Sequence, residues 1–121
     1  MSLRSELEEV LKELKATGDI EASAIVSRDG LLIAADISSN VNAEAFAAMS
    51  ATMLGAAETA MSELGKGLPD RVVVESSDGK IVATGAGDRA LLVVMTSPKA
   101  NLGLILLQLG KASKKVEELL G

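Results

Sequence analysis

The stretch from Arg71 to Thr96, RVVVESSDGKIVATGAGDRALLVVMT, constrains the fold most. Its three β-rich runs, Arg71 to Ser76, Lys80 to Gly85 and Arg89 to Thr96, are separated only by Ser77-Asp78-Gly79 and Ala86-Gly87-Asp88. Gaps that short admit hairpins but not the dozen or so residues a parallel crossover requires. The three strands are therefore expected to run antiparallel, turned by glycine and aspartate. A second pair of runs, Ile20 to Ser27 and Leu31 to Ala35, flanks Arg28-Asp29-Gly30. The Asp-Gly pair favours a two-residue hairpin with positive φ angles, and Ser77-Asp78-Gly79 repeats the device.

Three helical patterns surround these strands. From Ser2 to Ala16, the residues Leu3, Leu7, Val10, Leu11 and Leu14 recur at helical spacing and are expected to pack on the chain's own sheet. Thr17-Gly18-Asp19 stops that helix. After the polar Asp36–Asn42 stretch, Asn42 is a candidate N-cap for a helix over Ala43 to Leu64, which Gly65-Lys66-Gly67 ends before a turn at Pro69-Asp70. Ser97-Pro98 reads as the cap of a last helix, Lys99 to Leu120. Leu102, Ile105, Leu106, Leu109, Val116 and Leu119 form its core stripe, and Lys111, Lys114 and Lys115 suit a negative helix terminus. The order helix-strand-strand-helix-strand-strand-strand-helix predicts one α+β domain over residues 1–121.

Composition narrows the function. The chain has no Cys, His, Trp or Tyr, and Phe46 is its one aromatic residue. The usual zinc sites and Ser-His or Cys-His nucleophile pairs are excluded, and no stacking platform for bases exists. Net charge is −5 without a basic cluster, so nucleic acid is not an expected partner. The start MSLRSELEEVLKELK is no signal peptide, and no apolar stretch approaches the roughly 18 residues of a membrane span. A cytoplasmic protein without membrane insertion is expected.

The remaining motifs resolve into turns. Gly85-Ala86-Gly87-Asp88-Arg89 joins two strands, whereas a phosphate loop leads into a helix N-terminus. Ser27-Arg28-Asp29-Gly30 lacks the alternating ligands of a calcium loop. Asp29, Asp78 and Asp88 sit where turns favour aspartate, and Ser23, Ser27, Ser76 and Ser77 have no histidine to activate them. Arg28, Arg71 and Arg89 lie at strand ends, where arginine is ordinarily a solvated residue and not a donated catalytic group. No catalytic, cofactor-binding or metal-ligating residue is expected, and the chain does not read as an enzyme.

The central helix carries the most informative pattern. AFAAMSATMLGAAETAM, from Ala45 to Met61, is apolar or small almost throughout, with Glu58 as its lone charge. At ~100° per residue, Phe46, Met49, Met53, Leu54, Met61 and Leu64 form one arc, expected to cover the sheet. Ala48, Thr52, Gly55, Thr59 and Ser62, with Ala51 beside them, form the opposite arc. Their steps of four and three match a helix-packing seam, and small side chains let two backbones come close. A two-fold homodimer through this seam is expected.

The whole pattern resembles the roadblock family, also called the dynein light-chain roadblock family, in its stand-alone bacterial or archaeal form. The resemblance rests on SAIVSRDGLLIAA (Ser23 to Ala35), the small-residue helix, the Arg71-to-Met95 strand block and ANLGLILLQL from Ala100. It implies a five-stranded antiparallel sheet, profilin-like, with the central helix on one face and the terminal helices on the other. It also implies dimerisation through that helix and the third strand, here Arg71, Val72, Val73, Val74, Glu75 and Ser76. It further implies a Ras-like small GTPase as partner, which the chain regulates or scaffolds without a GTP-binding motif of its own. A nucleotide-independent structural adaptor is the alternative reading. A small-molecule sensor fits less well, because aromatic and convergent polar residues are lacking.

Overall fold

The structure, a computed structural model, describes residues 2–38 and 40–121. Met1, at the start of the expected domain, and Ser39, within the Asp36–Asn42 stretch, lie outside the described residues. The elements are α1 (Leu3–Lys15), β1 (Ile20–Ser27), β2 (Leu32–Asp36), α2 (Ala43–Glu63), β3 (Arg71–Ser76), β4 (Gly79–Ala86), β5 (Ala90–Thr96) and α3 (Leu102–Leu120). The strands form one five-stranded sheet in the order β2-β1-β5-β4-β3, and every neighbouring pair is antiparallel. This is the α+β arrangement that the short gaps require.

The last strand is the middle of the sheet. β5 pairs with β1 on one side and β4 on the other, so its run ALLVVMT is covered on both faces, which explains its lack of polar alternation. Leu92 and Val94 join Ile25 and Val82 beneath α1 and α3, together with Leu7, Leu11, Leu14, Ile105, Leu109 and Val116. Leu91 and Val93 point the other way and join Ala24, Val26 and Ala83 beneath Ala47 and Leu54 of α2. The two faces differ in extent. The α1/α3 side holds the larger cluster, and on the α2 side Ala24, Ala47 and Ala83 stand among Val26, Leu54, Leu91 and Val93.

Local chemistry sets the boundaries. Ser2 and Asn42 cap α1 and α2 by accepting the N–H of Ser5 and Ala45. α3 departs from expectation: it starts at Leu102, and Asn101 is its cap, accepting the Leu104 N–H at 3.1 Å. Ser97-Pro98 instead opens a turn closed by the Ala100 N–H on the Ser97 carbonyl. An asparagine directly ahead of the apolar run satisfies a terminal N–H that the upstream serine is too distant to reach.

The hairpins also differ from the two-residue Asp-Gly device. At the β1-β2 turn only Gly30 has positive φ, and Ser27 pairs across the loop with Leu31, so three residues turn the chain. At the β3-β4 turn Ser76 faces Gly79, which is already in the ladder, without a positive φ. Glycine is required there for space: a Cβ at Gly79 would stand 2.7 Å from the Thr96 carbonyl oxygen.

Candidate interaction surface

α2 is turned differently from the sequence-based arcs. Ala47, Ser50 and Leu54 are its buried residues, with Phe46, Ala51 and Met53 packed partly against the same cluster. The expected core residues Met49 and Leu64 are 63 % and 70 % exposed, so neither belongs to the core of a single chain. The helix turns its Ala47–Ser50–Leu54 face onto Ala24, Val26, Ala83, Leu91 and Val93 of the sheet, and this rotation leaves Met49 pointing outward. The other expected core residues lie in α3, where Ile105 and Leu109 are buried and Leu102 and Leu106 are half-buried.

The small seam divides accordingly. A Cβ at Gly30 would lie 3.3 Å from the Ala48 Cα and 3.8 Å from the Ala51 Cβ. These two alanines therefore face the chain's own β1-β2 turn, and their smallness is explained within the fold. Thr52, Thr59 and Ser62 are exposed, and a Cβ at Gly55 would meet nothing. The outward face of α2 thus runs through Ala45, Met49, Thr52, Ala56, Thr59 and Glu63, with Thr52 returning its hydroxyl to the Ala48 carbonyl. Six positions carry a single charge, where a solvated helix face would carry several.

Beside this face lies an open sheet edge. β3 pairs only with β4, and most of its side chains are exposed. Val72 is half-buried against the α2 cluster, and Val73 and Val74 are partly exposed. Arg71, Glu75 and Ser76 are exposed. A strand of this kind presents an unused row of backbone donors and acceptors.

One polar junction fastens α2 to the turns. The Arg28 guanidinium donates to both Glu58 carboxylate oxygens, at 3.1 and 3.3 Å, and to the Gly87 carbonyl at 2.8 Å. The Arg28 N–H donates to the Arg89 carbonyl, and a Cβ at Gly85 would stand 2.7 Å from the Arg28 Nη2. Arg28, expected at the solvated surface, therefore ties the β1-β2 turn, the β4-β5 turn and α2 together. The sequence held a sign of it, since a lone acid on an apolar helix needs a cationic partner. Arg28 and Glu58 also border an open cleft of about 440 Å³, whose lining includes Asp70, Arg71, Asp88 and Lys114. Its charges are mixed, and among the described residues no cluster of acids is arranged to hold a metal.

The three lysines of α3 do not serve the helix terminus, for its last turn holds no basic residue. Lys115 bonds Glu13 of α1 at 2.8 Å, and that hydrogen bond and charge hold its amine above the ordinary lysine range. Among the described residues, no helix is long and apolar enough to cross a membrane.

The family model described as Roadblock/LC7 domain matches residues 6–96. The chain belongs to this family. Its relatives include the uncharacterized protein MJ1340 of Methanocaldococcus jannaschii, 38 % identical over 111 residues, covering 92 % of this chain and 96 % of the relative. Among solved structures, Myxococcus xanthus MglB superposes with a TM-score of 0.89 at 21 % identity, over 96 % of this chain and 88 % of that one. A Roadblock/LC7 domain from Streptomyces avermitilis gives 0.87 at 20 % identity, over 93 % and 95 %. Within this roadblock fold, the strand to which the resemblance assigned dimerisation is the edge strand β3, whose Val72 packs in the cluster beneath α2.

Proposed function

We propose that the chain is a homodimeric regulator or scaffold of a Ras-like small GTPase, acting as a single domain through protein–protein contact. The observation that carries the reading is the adjacency of two unsatisfied surfaces. α2 turns a nearly uncharged face outward, and β3 next to it leaves its backbone edge unpaired. A two-fold axis beside β3 joins the two sheets edge to edge and brings the two copies of α2 side by side, answering both surfaces at once. Met49, Thr52, Gly55, Thr59, Ser62 and the strand Arg71–Ser76 make the interface. Ala48 and Ala51 support it from behind, by letting α2 lie close to the β1-β2 turn.

The GTPase reading follows from family membership and the resemblance. This chain carries no evident catalytic group, so an effect on nucleotide state comes from ordering the GTPase's own switch segments. Light scattering on the purified chain, then gel filtration with the small GTPases of its source organism, tests both parts. A dimer that binds one GTPase preferentially in one nucleotide state supports the reading. Equal binding with GDP and a GTP analogue leaves a nucleotide-independent adaptor, and no binding in either state removes the GTPase.

A further inference from the structure

On the sheet face opposite α2, a groove of about 380 Å³ runs between the β3 edge and α3, lined by Arg71, Leu106, Leu107, Gly110, Lys111 and Lys114. Three of its six lining residues are cations and none is an acid. In a chain of net charge −5, such a gathering is not the average surface. None of the three forms an ion pair among the described residues, whereas Arg4, Lys15, Arg28 and Lys115 all do. Between the cations the surface is apolar: Leu107 is 56 % exposed, Leu104 one turn earlier is also exposed, and Val73 lies on the Arg71 side of β3.

Gly110 adds an independent observation. It sits inside α3, where glycine costs roughly 1 kcal/mol relative to alanine. A Cβ there would meet nothing within the chain, so no internal contact accounts for it. A bare backbone at the floor of a groove admits a close-lying external chain.

The geometry points to this groove as a docking site for an acidic peptide segment of a partner protein, bearing leucine-like side chains between its carboxylates. Charge complementarity selects the acid, and the exposed leucines with Gly110 select an apolar, closely packed occupant. An anionic membrane is the other surface that would attract lysines. The chain disfavours it, because its net charge of −5 is repelled by anionic lipid. Lys111 and Lys114 lie on the other side of the sheet from α2, and of the groove's residues Arg71 alone is shared with the proposed β3 contact.

The test is a selection from a displayed library of random peptides on the full-length chain, followed by fluorescence anisotropy with the enriched sequences. Lys111 and Lys114 are exposed, so the double variant Lys111→Glu, Lys114→Glu folds, which circular dichroism checks. The expected result is enrichment of acidic, leucine-bearing peptides that bind at least about tenfold more weakly to the double variant and weaken as salt is raised. Binding to Thr52→Arg, altered on α2, stays unchanged, so failure here is distinct from failure of the dimer reading. Enrichment of neutral or basic peptides, no enrichment, or equal affinity for the double variant overturns the proposal. So does a loss of dimer mass in the double variant, which makes the groove a contact between copies. Sedimentation of the chain with phosphatidylserine vesicles in preference to the peptides makes it a lipid surface and overturns it as well.

Discussion

Arg28 acts as a three-way fastener, and its chemistry explains why an arginine stands there. One guanidinium reaches a carboxylate and a carbonyl on different elements, which a lysine's single ammonium cannot do in the same geometry. Its Nε is buried without a hydrogen-bond partner among the described residues, so part of the desolvation cost is not returned. Arg28→Ala is therefore expected to destabilise the fold by about 1–3 kcal/mol, as Glu58 and the Gly87 carbonyl lose their donors. Urea unfolding checks this, with Arg28→Ala combined with Glu58→Ala costing less than the sum of the single changes. Gly79 tests a purely steric demand. Gly79→Ala forces a methyl group against the Thr96 carbonyl in the ladder between β4 and β5, and a loss of about 1–3 kcal/mol is expected in the same measurement. No loss would show that β4 yields freely at its first residue. Lys115 bears on pH: its amine is raised, so whatever Glu13 adds to stability is present below the ordinary lysine range and fades as pH climbs through the raised value. Both partners are exposed, so that contribution is small.

For whole elements, α2 offers a discriminating pair of substitutions. Gly55→Ala fills open space in a helix interior and is expected to stabilise a single chain by roughly 1 kcal/mol. Gly55→Leu or Thr52→Arg places bulk or charge on the outward side and is expected to shift the chain to monomer by light scattering. Ala48→Arg is a poor probe of association, because Ala48 faces the β1-β2 turn and the change would damage the fold itself. This helix marks the limit of what the sequence can tell. The strands were legible because short glycine-bearing gaps permit one kind of connection. α1 was legible because charge and leucine alternate around it. In α2 nearly every residue is compatible with burial, so the pattern has no phase, and ranking by size made Met49 and Leu64 core. The phase is set by the sheet residues the helix meets, Ala24, Val26, Ala83, Leu91 and Val93, which are distant from most of it in sequence. For the same reason the cationic groove was invisible: Arg71 and Lys111–Lys114 meet only when β3 and α3 are placed together.

Across the whole molecule, the two faces of the sheet are unequally finished. The α1/α3 side buries the larger aliphatic core, whereas α2 itself contributes only Ala47, Ser50 and Leu54 as buried residues among those described. An element held by so little apolar area contributes modestly to a single chain's stability. Association through α2 and β3 then supplies burial that the single chain lacks, and folding becomes linked to concentration. For a dimer that unfolds to separate chains, each tenfold rise in concentration adds about 1.4 kcal/mol to its stability. Spread over two chains of 121 residues, this raises the midpoint of thermal unfolding by about 2–4 °C per tenfold. Differential scanning calorimetry over a hundredfold concentration range, on the wild type and on Thr52→Arg, reads the effect. A rising midpoint in the wild type and a flat one in the variant place the missing burial on the α2 face. Flat midpoints in both would mean that the packing of α2 on its own sheet suffices and that the outward face of α2 is reserved for a different protein.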